Sequence, residues 1–528
     1  MIESSSPTRQ EGVTDPLLDA LQQCASLNRR HWPSLPRAGG AVLVDGTVDA
    51  PSYLMGAGLL ARALAEADDL QLHVLLDPWK GETSEAQTLF ESFACRQFIN
   101  FGHGLTLVRA GLAALPGLVG YALRRFDPET FIGLECGGVR IGDLVHDSFV
   151  RKGRRFRAGI KWDWPFLKEV IKGFIYVHWY RQLFRCRKIE AVILSHRFYA
   201  FFGALARVAL QHGARVYVLR RCFARCYASP ESIYVNEFKP SEDIIASILE
   251  QRLEQRVDDY LAKRFAGEIR QHDVANAFKG KRDYSREELD RLLDLEPSWP
   301  IVFIMPHAFS DANHANDGML FRDYYDWFLE TVRFVNAVPG VNWVVKPHPS
   351  SYLYNEDGEV EQLLSDEGLD NIKLVPRDFN TRSTFPLAKT VLTVSGTVGV
   401  EAACLGIRPI IAGRATYSGL EIALEPATRE AYFAALANVG QLEQLDDDSV
   451  RRAKAMLYWY HIGAYMPSEV VPSMTFAPFG NTQEARDLKL AMYAEIISNL
   501  RDSSPRQDTF FQAALTMVRE REEFLCGI

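Results

Sequence analysis

The apolar positions of this chain fall into short runs separated by longer amphipathic stretches. Ala41-Val-Leu-Val-Asp45 is a run of strand length, closed by Gly46. A helical stretch passes through Ala57-Gly58-Leu59-Leu60-Ala61, and a second run follows at Leu70-Gln-Leu-His-Val-Leu-Leu76. Strand, helix and strand at this spacing predict a βαβ unit. The pattern recurs as a strand at 191–194, a helix over 199–212 and a strand at 215–219. Short apolar strands between helices predict a parallel sheet covered on both faces.

From 241 to 295 the pattern turns helical and charged, with no strand run, which predicts the seam between two domains. A second α/β series follows. Strands are predicted at 301–304, 343–345, 372–375, 391–394 and 409–412, with helices over 321–335 and 398–405. The expected organisation is a flexible, proline-bearing lead-in over 1–39 and an N-terminal Rossmann-like domain over 40–295. A C-terminal Rossmann-like domain covers 296–480, and amphipathic helices at 482–498 and 509–524 make up a tail over 481–528. The fold class is α/β, two Rossmann-like domains facing across a cleft. Open sheets of this type bind ligands at the carboxyl ends of their strands. Two of them face to face suit an enzyme that takes a donor on one domain and an acceptor on the other.

Composition agrees with this picture. At about 100–200 residues per domain, 528 residues make two large domains. With 47% hydrophobic and 24% charged residues, the chain has material for a core and is not globally disordered. No run is expected to reach the roughly 18 apolar residues that span a bilayer. Residues 1–30 show no basic stretch followed by an apolar one, so neither a secretory signal nor an anchor is expected. The net charge of −8 argues against a general nucleic-acid binder. Eight scattered cysteines with no CxxC indicate neither a zinc ribbon nor a disulfide framework, and they fit a reducing cytoplasm.

The charge is unevenly spread. Residues 151–188 hold twelve Lys/Arg against Asp163 and Glu169, a local +10 that leaves −18 for the rest. Nine aromatics share the segment, among them Phe156, Trp162, Trp164 and Trp179. Such a mixture suits an anionic surface, a membrane face or an acidic glycan. It equally suits a helix with an aromatic core face and a solvated basic one.

Three segments of the C-terminal half carry candidate chemistry. In Thr393-Val-Ser395-Gly396-Thr397-Val-Gly399-Val-Glu401, a strand ends in a hydroxyl-rich turn and a helix starts at once. Ser395 and Thr397 are candidate caps, and Gly396 and Gly399 would let a phosphate approach the backbone at a helix N-terminus. Glu401, one turn on, could reach a ribose diol. In Lys346-Pro347-His348-Pro349, two prolines stiffen a turn and hold His348 at a strand end, with Lys346 to neutralise charge. The two segments together predict one phosphate site. In His307-Ala-Phe-Ser310-Asp311-Ala-Asn313-His314, Asp311 is a candidate carboxylate beside the donor sugar, or a helix cap. His307, Asp311 and His314 invite a metal reading, but the turn is too irregular to place all three together, and no metal is expected.

In the first half, Glu135, Arg140, Asp143 and Asp147 sit among glycines and are candidates for acceptor binding or for plain capping. Glu237, near the domain seam, is a candidate cleft carboxylate.

Lys346-Pro-His-Pro349, Ser395-Gly-Thr397 with Glu401, His307-Ala-Phe-Ser-Asp311 and Ile141-Gly-Asp-Leu-Val-His-Asp147 together resemble bacterial GT-B glycosyltransferases of surface and capsular polysaccharide synthesis. Within these the chain looks most like the retaining β-Kdo transferases, which use CMP-Kdo. The resemblance spans about residues 40–480. It implies a GT-B fold with CMP-Kdo as donor substrate on the C-terminal domain, held by His307, Lys346, His348, Ser395, Gly396, Thr397 and Glu401. It further implies Asp311 as nucleophile, Glu237 as an assisting acid and no divalent metal. The Glu356-Asp357-Gly358 triplet resembles a sialyltransferase motif but lies on the other side of the His-Pro pair. The expected partners are the CMP-sugar and a glycan or lipid-linked glycan acceptor, with no nucleic acid. The enzyme would be cytoplasmic, touching an anionic inner membrane through 151–188. A sialyl or other nonulosonate transferase, a UDP-sugar epimerase and a non-catalytic glycan-assembly subunit are the alternatives.

Overall fold

The computed structural model describes residues 15–35, 39–76, 84–102, 105–123, 128–153, 155–158, 160, 163–269, 277–472 and 482–527. Residues 1–14 and 36–38 of the expected lead-in, together with Arg154, Gly159, Lys161 and Trp162 of the basic segment, lie outside the described residues. The rest of the lead-in holds the helix Pro16–Arg29, which buries Leu21 and Cys24 rather than hanging loose.

Gly40–Asp45 (β1), Leu70–Leu76 (β2) and Gln97–Asn100 (β3) open the N-terminal sheet. A small hairpin, Glu135–Cys136 (β4) with Val139–Arg140 (β5), stands apart from it. The sheet continues with Ile189–Leu194 (β6), Arg215–Arg220 (β7) and Phe223–Tyr227 (β8). The C-terminal sheet consists of Ile301–Ile304 (β9), Asn342–Val345 (β10), Ile372–Leu374 (β11), Ala388–Thr393 (β12) and Ile410–Ile411 (β13). The last strand, Phe524–Leu525 (β14), belongs to the first sheet.

The orders are β14-β8-β7-β6-β1-β2-β3 and β11-β10-β9-β12-β13. The second sheet is parallel throughout. In the first, only β8 runs against the rest, antiparallel to both of its neighbours, β7 and β14. Each sheet reverses its winding beside its first strand, between β1 and β6 and between β9 and β12. The crevice outside the strand ends at such a reversal is where α/β sheets bind ligands. β1 and β9 are buried along their whole length, because helices cover both faces and every side chain enters a core. Both domains are therefore Rossmann-like, in the GT-B arrangement.

The chain crosses between the domains more often than the sequence pattern indicates. Helices Glu242–Glu250 and Arg256–Phe265 bury Ile245, Ile248, Val257 and Leu261 against Val400, Ala403 and Met456, inside the second domain. The tail helices Gln483–Asp502 and Thr509–Glu520 return to the first domain. There Phe510, Phe511 and Ala514 cover the outer face of the helix Pro51–Asp68. That helix is apolar nearly all round, and a helix of that kind needs cover on every side.

The helix Leu105–Leu123 corrects the expectation of no membrane-length apolar run. It is long and apolar enough to cross a membrane by length and composition. Only Arg109 is charged among its 19 residues.

Part of the basic segment is used between the domains rather than on a free surface. Phe156 packs on Phe309 and Tyr325 of the second domain, with ring centroids 5.2 and 5.5 Å apart. Arg157 pairs with Glu359 and Asp366. Arg151 lies 4.3 Å over the Tyr354 ring. Lys152 and Lys172 both bind Glu169 at 2.7 Å.

Candidate functional site

A cavity of about 300 Å³ opens at the carboxyl ends of the second sheet, at the lower end of the roughly 300–1,000 Å³ of ligand pockets. A smaller lobe of about 130 Å³ adjoins it, and the two share His307, Lys346, Pro347, His348 and Pro349. Thr393, Gly396, Thr397 and Glu401 line the smaller lobe. The Lys-Pro-His-Pro turn follows β10, the His307 loop follows β9 and the Ser-Gly-Thr turn follows β12. Because these strands are neighbours, segments up to 88 residues apart meet at one winding reversal.

The helix Thr397–Cys404 starts at Gly396, and no side chain caps it. Ser395 and Thr397, expected as caps, do not cap it; the Gly399 N–H bonds the Gly396 carbonyl at 3.0 Å, and the helix dipole at this end favours an anion. Gly399 plays a different part from the one expected. A Cβ there would lie 2.0 Å from the Tyr417 hydroxyl, which donates to the Gly396 carbonyl at 3.0 Å. The glycine makes room for the tyrosine that holds the turn, not for a phosphate.

The imidazoles have defined tautomers. His307 stacks on Tyr324 at 4.2 Å and accepts from the Ser395 N–H at Nε2, 3.2 Å away. Its proton therefore sits on Nδ1. Burial, then the neighbouring His348, lowers its pKa to about 3, so the ring stays neutral. His348 accepts from the Ser350 N–H at Nδ1, 3.2 Å away, which leaves Nε2 as the donor of the neutral ring. Lys346 is 5% exposed. Burial, then the nearby Lys281, lowers its pKa to about 8, with Glu401 opposing. Glu401 is itself buried and ion-paired with Arg264 at 3.0 Å, so the turn's ribose candidate is anchored from behind.

Asp311, on the loop that also carries His307, lines neither lobe, and burial raises its pKa. A hydrogen bond with Tyr354 and the Arg151 guanidinium oppose that rise. Tyr324, whose hydroxyl bonds Ser395, also lies within reach of the Asp311 charge. The loop carrying Asp311 is held by Glu356, which accepts from the Phe309 and Ser310 N–H groups at 2.7 and 2.8 Å and from the Ser310 hydroxyl. The triplet Glu356-Asp357-Gly358 thus lines the larger lobe in spite of its position in the sequence. From the first domain, Tyr199 reaches over, and its hydroxyl accepts from the Ala312 N–H at 3.4 Å. Tyr199 has φ 62° and ψ 154°, a region that costs a non-glycine residue about 1–3 kcal/mol.

The acceptor candidates do not gather on one open surface. Asp143 is fully buried, paired with Arg207 at 2.7 Å and with Arg140 at 3.1 Å. Arg140 goes on to Asp317 of the other domain at 2.6 Å. Asp147 is buried against His314, also of the other domain, at 2.7 Å. Glu135 is exposed, opposite Arg140 in the β4–β5 hairpin. Three of the four are spent in ion pairs, two of them at the domain interface. Glu237 is similarly committed. It is buried between Arg220, 2.5 Å away, and Arg197, 3.4 Å away. Burial alone would raise its pKa, but the two arginines lower it to about 2, which removes it as a proton donor near neutrality.

His314 does not join His307 and Asp311, as a metal reading of that loop would require. It forms a cluster with His146 and Asp147, with ligand-type atoms within 4.8 Å of one another. Both His314 nitrogens already face acceptors, the Asp147 carboxylate and the Arg322 carbonyl at 2.8 Å. Burial would depress the His146 pKa, but bonds to Asp147 and Asp323 raise it to about 9. The cluster is an ion-paired latch between the domains.

Tyr199, Tyr324, Tyr354, Arg151 and Lys281 had no local signal in the sequence. Each arrives from an element whose own pattern says only helix, loop or basic run.

No family model matches the chain, and no curated protein does. Among solved structures it is similar to Thermosulfurimonas dismutans KpsC, a beta Kdo 2,4 transferase. The identity is 14% over 57% of this chain and 88% of that one, with a TM-score of 0.33. It is also similar to a Thermobaculum terrenum O-GlcNAc transferase mutant, at 12% over 96% and 76%, TM-score 0.26. The UDP-GlcNAc 2-epimerase of Methanocaldococcus jannaschii matches at 14% over 85% and 98%, TM-score 0.21. All three scores lie below 0.5, and the functional reading rests on the site's own geometry.

Proposed function

We propose that this chain is a glycosyltransferase that moves Kdo from CMP-Kdo to a bacterial surface glycan with retention at the anomeric carbon. The observation that carries the reading is an anion seat at the sheet's carboxyl edge, with a buried carboxylate on the same loop that supplies His307 to it. The seat combines an uncapped helix N-terminus, the Lys346 ammonium and the His348 ring, which matches the single phosphate of CMP. Asp311 stands on the neighbouring loop, braced by Tyr354 and Arg151.

In this scheme the Asp311 carboxylate attacks C2 of Kdo. The bond from C2 to the phosphate oxygen breaks, and CMP leaves with the electron pair. His348 donates from Nε2 to the departing phosphate, where charge grows in the transition state. An acceptor hydroxyl then attacks C2 as the bond from C2 to Asp311 breaks, Asp311 leaves as the carboxylate with the electron pair, and the hydroxyl proton passes to solvent water. Two inversions give net retention.

The test is a panel of CMP-Kdo, a CMP-linked nonulosonate and UDP-GlcNAc, scored for slow donor hydrolysis and for transfer. CMP-Kdo should be consumed fastest. Asp311→Asn should still bind CMP yet lose at least ~10²-fold in transfer, about 2.7 kcal/mol of barrier. The wild type should accumulate a sugar adduct on the Asp311 peptide. Preference for UDP-GlcNAc would overturn the donor, and near-normal turnover of Asp311→Asn the nucleophile. Inversion at the anomeric carbon, seen by NMR, would overturn the double displacement.

A further inference from the structure

The helix Leu105–Leu123 wears its apolar residues on the outside. Leu105, Val108, Leu112, Leu115, Val119 and Leu123 are each at least 51% exposed. They recur at steps of three and four, so at 100° per residue they form one continuous stripe. The opposite side of the helix docks on the protein through a seam of small residues. Ala110, Ala114 and Tyr121 are buried, and a Cβ on Gly117 would lie 2.5 Å from Phe174 of the helix Trp164–Cys186. A core helix places its leucines in the seam and its small or polar residues outside. This helix does the reverse over about 28 Å of its length. Soluble surfaces rarely carry so long an apolar patch without an interaction to match.

The surroundings say what covers it. The helix contains no acid. Its carboxyl end lies beside the start of the helix Trp164–Cys186, through Tyr121, Phe131 and Phe166 at ring distances of 6.1 and 4.9 Å. There Trp164 is 68% exposed, and Lys168 is exposed one turn on. In the sequence, Leu123 is followed at once by Arg124 and Arg125. An apolar stripe whose end lies beside the exposed Trp164 and Lys168 fits the boundary between acyl chains and anionic headgroups. A second copy of the chain would satisfy the stripe but not its cationic end.

We propose that the Leu105–Leu123 stripe seats the protein on an anionic phospholipid bilayer, with the helix lying in the interface. The seam along its other face holds it to the first domain, so it lies on the membrane and does not span it. Of the basic segment 151–188, expected as the membrane contact, Trp164 and Lys168 lie near the carboxyl end of the stripe, whereas Arg151, Lys152 and Arg157 are engaged within the fold. This inference does not depend on the identity of the donor sugar.

The experiment is co-sedimentation of the full chain with vesicles of phosphatidylcholine containing 30% phosphatidylglycerol, at 0.1 and 0.5 M NaCl. The wild type should bind, and binding should weaken in high salt without vanishing, because the apolar part is unscreened. The variant Leu112→Ser/Leu115→Ser/Val119→Ser should lose at least tenfold in partitioning with an unchanged melting temperature, since all three side chains face outward. Lys168→Ser/Arg124→Ser/Arg125→Ser should lose mainly the salt-sensitive part. Equal binding by the leucine variant overturns the proposal. So does wild-type self-association that this variant abolishes when neither protein binds vesicles, which assigns the stripe to a second copy.

Discussion

Lys346 offers a quantitative test of the anion seat. Its ammonium is buried, 5% exposed, and lowered from 10.5 to about 8. At 1.36 kcal/mol per unit, that shift is a penalty of about 3 kcal/mol on the charged form. A phosphate entering beside it returns the missing counter-charge and restores a pKa near the ordinary one. Binding of CMP must then take up a proton whenever the free protein has lost it. A phosphate monoester has its second pKa near 6, so the ligand's own charge is constant above pH 7. His307, held near 3, stays neutral over the same range. The affinity for CMP should therefore be nearly flat up to pH 7.5 and fall by about 30-fold between pH 7 and 9.5, about 2 kcal/mol. Isothermal titration across that range, in two buffers of different ionisation enthalpy, reads both the affinity and the proton uptake. Lys346→Met should bind weakly at pH 7 and show no such fall. A wild-type affinity that does not change from pH 7 to 9.5, or an equal slope in Lys346→Met, would show that Lys346 does not meet the phosphate.

Two further outcomes concern stability. His146 has a folded pKa raised from 6.5 to about 9, so its contribution is complete below pH 6.5 and is lost as pH rises through 9. Urea unfolding should show about 3 kcal/mol less stability at pH 10 than at pH 6 from this group, and His146→Gln should flatten the slope. Equal slopes in the two proteins would refute the latch. Asp147, lowered to about 2, acts only in acid and leaves this window untouched. Gly399→Ala should cost about 1–3 kcal/mol by displacing Tyr417 from Gly396, and weaken CMP binding with it. Adding Tyr417→Phe should recover part of that loss, and strictly additive melting-temperature changes would count against the packing account.

The strands that build both sheets were legible because a buried parallel strand is a short, largely apolar run, and such runs stand out at 41–45, 70–76 and 301–304. So were the three loops of the candidate site. Proline stiffens the turn at His348, glycine starts the helix at Thr397, and both signals are local. The helix Leu105–Leu123 was not read from the sequence at all. Its glycines, Pro116 and Arg109 break the run of leucines and valines, and only the fold shows which of its faces is left outside.

What the sequence determined by itself, then, is whatever depends on neighbours along the chain: element type, the α/β series, and the residues that follow β9, β10 and β12. Tertiary structure decided everything that depends on neighbours in space. Acids read as acceptor candidates became buried ion pairs, within the first domain at Asp143 and across the domains at Asp147, because an arginine or histidine from a distant element meets each one. Glu237 lost its expected role in the same way, to Arg220 and Arg197. The tail helices joined the first domain because its Pro51–Asp68 helix needed cover. Burial and charge partnership set the state of an ionisable side chain, and both are properties of the packed molecule that no local pattern encodes.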